Sequence, residues 1–364
     1  MVHLGLLLTA SSALRRGVLT RGYVVASASA ATKRIVFLGT PECAARSLAL
    51  LLEASRADGS AFELAAVVSN PPARSGRKMK VTPSPVQVLA EAEGLPLFTP
   101  PNAKDDAFLS TLESLQPDLC VTAAYGCFLP QRFLDIPAKG TLNIHPSLLP
   151  LYRGAAPLQR CLEAGDTTGG VSVAFTVLAM DSGPILRQEE RELTGEEQFP
   201  ELLLDLFEEG TRYLIDELPR VWDGSCESAL VAQDDDAATA AKKIQPWEAE
   251  LRLTELSAAE AHNRVRAFAG GVGSWCLVSV DGAEPVRAKL LETRVRAEAE
   301  VATREIALAN KALSFVCADG SVRFGSKPTS APHAHLPPYP NPTLPPPPTR
   351  PCYPIVPPPY PIPH

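Results

Sequence analysis

KRIVFLGTPECAARSLALLLEA, residues 33–54, decides the fold class. Ile35–Leu38 form an uninterrupted apolar run stopped by Gly39, short enough for a strand and apolar toward both faces, as strands covered from both sides are. Pro41 follows where a helix opens, because the first turn has no use for the missing N–H. From Glu42 onward, Ala and Leu recur at helical spacing. A strand buried on both faces that passes directly into a helix is the opening of a βαβ unit.

The same alternation continues outward. FELAAVVSN (62–70) reads as a second strand, SPVQVLAEAEG (84–94) as a helix closed by Gly94, and PDLCVTAAYG (117–126) as a third major strand. GTLNIHP (140–146) and GGVSVAFTVLAMDSG (169–183) are predicted strands, with AAPLQRCLEAGD (155–166) the helix between them. Strands alternating with helices predict an α/β domain with a doubly wound, mostly parallel, Rossmann-like sheet over residues 33–224. Residues 225–243 have weak apolar order and an acidic run at Asp234–Asp236, and read as a linker. The rhythm then changes. Ser257 and Glu260 form a capping box ahead of one helix, and short strands divided by Asp-Gly turns follow, which predicts a small OB-like β-barrel over 244–325.

The chain has 364 residues, 45% of them hydrophobic and 21% charged, which suits two domains plus extensions. A net charge of −7 argues against general nucleic-acid coating but leaves room for a local basic patch. Residues 1–32 carry Arg15, Arg16 and Arg21 among Leu, Ala, Ser and Thr, and the first acidic residue is Glu42. That composition predicts a mitochondrial transit peptide and hence the mitochondrial matrix. A secretory signal is the rival, but the arginines lie after the apolar stretch. Residues 326–364 hold nearly half of the 36 prolines and no acid, and are expected to be a disordered tail. The eight cysteines show no metal-ligand spacing, so no metal site is expected.

Asn143 and His145 stand two apart at the end of a strand, so they point to one side at the carboxyl edge where such sheets bind ligands. Pro146 ends the ladder. Asp181 follows the next strand, and adjacent parallel strands would bring its carboxylate near His145. An imidazole held by a carboxylate favours its charged form and can donate to a developing oxyanion. The Asn amide supplies a second donor, and the carboxylate can help collect a proton. Together the three have the parts for direct acyl transfer to an amine, without a nucleophilic Ser or Cys.

FLGTPECAARSL, PSPVQVLAEAEGLPLFTP, PDLCVTAAYGCFLP, GTLNIHPSLLPLYRGAAPLQRCLEAGDTTGGVSV and MDSGPIL resemble the formyltransferase superfamily that uses 10-formyltetrahydrofolate. Within it they are most similar to the methionyl-tRNA formyltransferases of the mitochondrial type. The likeness runs from Arg34 to Gly325. It implies that Asn143, His145 and Asp181 are catalytic, that Ser147, Leu148, Leu149 and Pro150 form the cofactor-binding turn, and that 10-formyltetrahydrofolate is the formyl donor. It further implies a charged methionyl-tRNA as acceptor. No stretch after the leader is apolar for ~18 residues, so no membrane partner is expected, and a monomer is expected.

Arg74, Arg77, Lys78 and Lys80 lie in a Pro/Gly/Ser-rich loop with no acid between Glu63 and Glu91, at the position of the family's tRNA-approaching loop. Arg264 and Arg266 are weaker phosphate candidates. The family's small domain continues past the strand matching SVRFG, so the barrel here is expected to be incomplete. Two rivals stand: a formyltransferase or formyl-folate hydrolase with a small acceptor such as an amino sugar, a ribonucleotide or water, and a non-catalytic tRNA-binding relative.

Overall fold

The structure, a computed structural model, describes residues 31–75, 79–279, 283–296, 307–309, 312–318 and 321–325. The leader through residue 30, the tail from residue 326, and Arg77 and Lys78 lie outside the described residues. Strands are β1 Lys33–Gly39, β2 Phe62–Val68, β3 Ala73–Ser75, β4 Lys80–Thr82, β5 Leu97–Phe98, β6 Leu119–Ala123, β7 Thr141–His145, β8 Arg153–Gly154, β9 Thr168–Phe175 and β10 Ile185–Glu192. Helices are α1 Glu42–Arg56, α2 Pro85–Ala92, α3 Asp106–Leu115, α4 Gln131–Leu134, α5 Pro157–Ala164 and α6 Phe199–Asp223. Beyond them come β11 Ala240–Ala241, α7 Ala258–Phe268, β12 Ser274–Val278, β13 Val286–Leu290, β14 Thr293–Arg296, β15 Ala307–Ala309, β16 Ala312–Val316 and β17 Ser321–Gly325.

Seven strands form the central sheet in the order β10-β9-β7-β6-β1-β2-β5. The ladders from β5 through β7 are parallel. The apolar run of β1 is buried on both faces, and its residues part by period two. Ile35 and Phe37 join the core under α1, α5 and α6, whereas Val36 and Leu38 join the core under α3 and α4. Each of these side chains is fully buried, a contribution of roughly 1.5–3 kcal/mol apiece. Gly39 stops the strand for a steric reason: a Cβ there would stand 2.7 Å from the Ala44 methyl and 3.0 Å from the Ala123 carbonyl.

Three helices go beyond the sequence-based assignment, the one-turn α4 and two longer ones. One of the longer two is α3, whose N-cap Asp105 accepts the Phe108 N–H. The other is α6, the long helix laid across β7 and β9. Gly210 allows its close approach, since a Cβ would meet Val171 and Ile144 at 2.6 and 2.7 Å. Thr211 of α6 donates its hydroxyl to Ser47 of α1 in a buried contact of 2.8 Å.

The sheet departs from the expected direction at β9. It pairs antiparallel with β7, Asn143 lying opposite Ala174 and His145 opposite Ser172, and β10 pairs antiparallel with β9. The parallel adjacency expected to carry Asp181 to His145 is therefore corrected. The strand expected to run to Met180 ends at Phe175. Connection 176–184 starts beside Thr141 at the far end of β7, where the Thr176 N–H bonds the Thr141 carbonyl at 2.7 Å, and returns along that strand.

Residues 225–243 are a fastened strap rather than a loose linker. They contain two short 3-10 turns, a bridge from Val231 to Ile185, and β11, which pairs in parallel with β8. In the small domain the capping box forms as expected: the Ser257 N–H bonds Glu260 at 2.8 Å and the Glu260 N–H bonds the Ser257 hydroxyl at 3.1 Å. Its described strands make two antiparallel sheets, β12-β13 and β14-β17-β16-β15.

Candidate active site

At the carboxyl ends of β1, β6 and β7 lies a cleft of about 520 Å³. Asn143, His145 and Asp181 all line it, so the structure brings the predicted trio together. Asn143 sits opposite Thr122 of β6, and its Oδ1 accepts the Thr122 hydroxyl at 2.8 Å. That bond turns the amide over and leaves Nδ2, a pure donor, for the cleft. Thr122 is a positioning group that the sequence reading missed. Its only signal was a hydroxyl in an otherwise apolar strand.

His145 is buried. Its Nε2 donates to the Tyr152 carbonyl at 3.0 Å; a carbonyl can only accept, so Nε2 carries the hydrogen. Nδ1 is the ring nitrogen turned toward Asp181, 3.9 Å from Oδ2. That separation permits charge attraction and is too long for a hydrogen bond. Asp181 Oδ2 accepts the Gly154 N–H at 2.9 Å, a contact from another loop and not from its own turn.

The backbone around the trio is held in unfavourable conformations. Ala124, Tyr152 and Asp181 have φ of 44°, 61° and 49°, a left-handed region that non-glycine residues rarely enter and that costs on the order of 1 kcal/mol or more each. Gly183 closes the connection where nothing larger fits: a Cβ there would lie 1.8 Å from the Phe175 carbonyl oxygen.

The walls suit a flat, mostly apolar ligand with a polar edge. Pro41, Tyr125, Phe128, Leu129, Ile144 and Leu203 contribute apolar surface. Thr176 lines the cleft, and its Oγ1 is buried without a hydrogen-bond partner among the described residues. Two thiols line the cleft as well. Burial pushes the Cys43 thiol up to about 11 and also raises that of Cys127, which donates to Asn70 Oδ1 at 3.1 Å. Thiols so raised are protonated at neutral pH and are poor nucleophiles, so the chemistry of the cleft favours direct transfer over a thioester.

Ser147, Leu148, Leu149 and Pro150 form a turn beyond Pro146, and none of the four lines the cleft. Their polar groups are spent internally. The Ser147 hydroxyl donates to the Leu151 carbonyl at 2.7 Å, Ser172 donates to the Ser147 carbonyl at 2.7 Å and accepts the Leu149 N–H at 3.1 Å, and Gln188 donates to the Leu149 carbonyl at 2.9 Å. The peptide bond Leu149–Pro150 is cis. The turn thus shapes the chain between His145 and Tyr152.

Of the basic loop, Arg74 lies on β3 and Lys80 on β4, both exposed, in a two-stranded hairpin. The hairpin springs from the cleft wall. Asn70 donates to the Tyr125 carbonyl at 2.9 Å, and the Ser69 and Ser84 hydroxyls bond at 2.6 Å across its base. Arg264 and Arg266 are engaged elsewhere: Arg264 lies 3.3 Å from Glu163, and Arg266 is buried and bonds Asn263 at 3.0 Å. Burial lowers the Arg266 guanidinium from its ordinary range.

Among the described residues no helix is long and apolar enough to cross a membrane, and no cluster of His, Cys, Asp and Glu could hold a metal ion.

Architecture and site define a doubly wound α/β protein whose amide, imidazole and carboxylate converge in one cleft at the carboxyl edge of the sheet. A family model described as "Formyl transferase" matches residues 33–218. The methionyl-tRNA formyltransferase of Chromohalobacter salexigens is 39% identical over 267 residues, covering 73% of this chain and 78% of the relative. That of Roseobacter denitrificans is 36% identical over 289 residues, covering 79% and 88%. An N-formyltransferase from Helicobacter canadensis, solved with folinic acid and dTDP-3-aminofucose, shares the fold with a TM-score of 0.58 at 14% identity, over 80% of this chain and 98% of that one. The chain belongs to the formyl transferase family and is an enzyme of it.

Proposed function

We propose that the protein moves the formyl group of 10-formyltetrahydrofolate to the α-amino group of methionyl-tRNA, in mitochondria. The observation that carries the chemistry is the Asn143 amide, turned by Thr122 so that Nδ2 faces the same cleft as His145 and Asp181. 10-Formyltetrahydrofolate supplies the activated formyl group when bound, and the apolar walls are suited to its flat ring system. Asn143 donates to the charge that collects on the formyl oxygen as the amine attacks. His145 Nδ1 holds a proton between substrate and carboxylate. Asp181, with Oδ2 tied to Gly154, stabilises the imidazolium and receives the proton that the amine must lose, and the folate nitrogen released when its bond to the formyl carbon breaks takes up a proton in turn. The turn Ser147–Pro150 acts on the donor indirectly in this reading, by shaping the path from His145 to Tyr152.

A large polyanionic acceptor is favoured by the basic hairpin rising from the cleft wall and by the relatives' names. On a chain of net charge −7, affinity for tRNA must come from a local cluster within about one Debye length, ~8 Å at physiological salt. Arg74, Arg77, Lys78 and Lys80 stand in one short stretch of the sequence and are the residues assigned to that cluster. Replacing all four with Ser should weaken use of methionyl-tRNA and flatten its salt dependence by roughly 0.7–0.9 per lost phosphate contact. Apparent affinity for the donor should stay near wild type.

The mitochondrial assignment rests on the acid-free, arginine-bearing leader. Residues 1–40 fused to a fluorescent protein should enter mitochondria, and a reticular signal would return the segment to the secretory reading. The reaction is tested with purified protein and radiolabelled 10-formyltetrahydrofolate, offered methionyl-tRNA, uncharged tRNA or a nucleotide-linked amino sugar. Label on methionyl-tRNA alone supports the proposal. Label on the sugar moves the enzyme to a small-acceptor class, and label on neither acceptor favours a hydrolase or a non-catalytic relative.

A further inference from the structure

We infer that Gln233, in the strap that follows the catalytic domain, is a positioning residue for formyl transfer, holding Asp181 against His145; this rests on the catalytic reading of Asp181. The residue lies beyond the segment 33–218 that matches the family model and does not line the cleft. Its side chain nevertheless joins the two loops that meet at His145. Gln233 Nε2 donates to the main-chain carbonyls of Asp181 at 2.9 Å and Gly183 at 2.6 Å. Gln233 Oε1 accepts from Arg153 Nε at 3.0 Å and Nη2 at 2.8 Å. A side-chain amide has two donors and two acceptor lone pairs, and here all four are used. Its orientation is settled by chemistry, because carbonyls only accept and a guanidinium only donates.

The grip on Asp181 is double. Gln233 holds its main chain, and Gly154, the residue after Arg153, holds its carboxylate at 2.9 Å. Arg153 is itself fixed by Asp235 of the strap at 2.8 Å. The strap is registered along the same loop by Thr239, whose hydroxyl accepts the Tyr152 N–H at 2.7 Å and whose carbonyl accepts the Arg153 N–H at 2.8 Å, and by the Ala241 carbonyl, which accepts the Ala156 N–H at 3.1 Å. The held residue needs holding. Asp181 has a left-handed φ of 49°, and its exposed neighbours Leu178 and Met180 offer no packing that would keep it there. Once the two carbonyl contacts are gone, the Gly154 N–H is the grip left on Asp181, and its main chain can relax toward ordinary φ, which shifts the carboxylate relative to Nδ1.

The test uses the full chain in single-turnover formyl transfer to methionyl-tRNA, with Gln233→Leu and Gln233→Glu. The glutamate keeps two acceptors for Arg153 but sets an oxygen against two carbonyls, so it separates the grip on Asp181 from the anchoring of the strap. Both variants should lose about 10- to 100-fold in turnover, the effect of a misplaced catalytic group, with the KM for the formyl donor changed less than about threefold. In an Asp181→Asn background either substitution should cost less than about threefold, because the group it positions is already gone. Wild-type turnover in Gln233→Glu, or a full penalty multiplied onto Asp181→Asn, overturns the inference. So does a loss that only tracks the fraction of folded protein measured by near-ultraviolet circular dichroism. Wild-type turnover in Asp181→Asn itself is a different failure and removes the catalytic reading beneath it.

Discussion

Replacing Asn143 separates a catalytic donor from a structural amide. In Asn143→Ala the cleft loses Nδ2, and the loss of one donor to a developing oxyanion costs about 10²–10³-fold in turnover, or ~2.7–4 kcal/mol. The structural cost is smaller. Thr122, buried, loses the acceptor at 2.8 Å but retains the Leu142 carbonyl at 3.3 Å, so its hydroxyl is not orphaned. The penalty then stays near the low end of the ~1–3 kcal/mol for an unsatisfied buried group. Asn143→Asp is the sharper probe. It keeps the shape and the acceptor for Thr122, while placing an anionic oxygen where Nδ2 stood. If the amide serves only to satisfy Thr122, aspartate is tolerated better than alanine. If it donates to the formyl oxygen, aspartate is at least as slow. Single-turnover transfer of labelled formyl with enzyme in excess, beside melting curves, reads both quantities. Turnover of Asn143→Asp within about threefold of wild type would refute the donor role.

His145→Ala should fold and lose on the order of 10²-fold or more in turnover, and Asp181→Asn should do likewise by weakening the imidazolium; near-normal single-turnover rates in either reject the mechanism. Gly183→Ala should slow the enzyme although the residue touches no substrate, because the added Cβ meets the Phe175 carbonyl at 1.8 Å and must displace the Asp181 connection; unchanged kinetics would mean the displacement never reaches Asp181. Glu248, just beyond the strap, ties the chain to α5 through Arg160. Hydrogen bonding from Arg160, at 2.7 and 3.1 Å, holds its carboxyl below the ordinary range. A depressed carboxylate pKa contributes stability that is present above its unfolded value, about 4.3, and lost as pH falls through the folded value. The melting-temperature gap between wild type and Glu248→Gln should therefore be widest near neutrality and close as the solution is acidified below that pH, whereas a gap that is constant with pH would show that the pair adds nothing.

Much of the catalytic domain was legible because a strand buried on both faces leaves an apolar run that no surface segment imitates. Lys33–Gly39 and Leu119–Ala123 are of that kind, as is the second half of Phe62–Val68, and the carboxyl ends of the first two help locate the cleft. The pairing of Asn143 with His145 followed from the period of a strand. Strand direction left no comparable mark. β9 is apolar on both faces whether it runs parallel or antiparallel to β7, and its burial pattern is the same either way. The edge strand β10 is polar from Arg187 to Glu192, alternating half-buried and exposed residues, since it meets water along its length, and it reads as surface.

That unreadable reversal accounts for the rest of the site. An antiparallel β9 carries the chain away from His145, so Asp181 reaches the imidazole only through a connection that doubles back. Such a connection needs a glycine where it crosses the strand end and a clamp on its strained residue. Gly183 meets the first need and the strap meets the second. A clamp built from one amide, one guanidinium and main-chain carbonyls has no apolar periodicity, so Gln233 stands in an acidic, unpatterned stretch that reads as linker. The polar contacts that hold the Asp181 main chain are thus the ones composition hides, and they come from a segment that lies beyond residues 33–218.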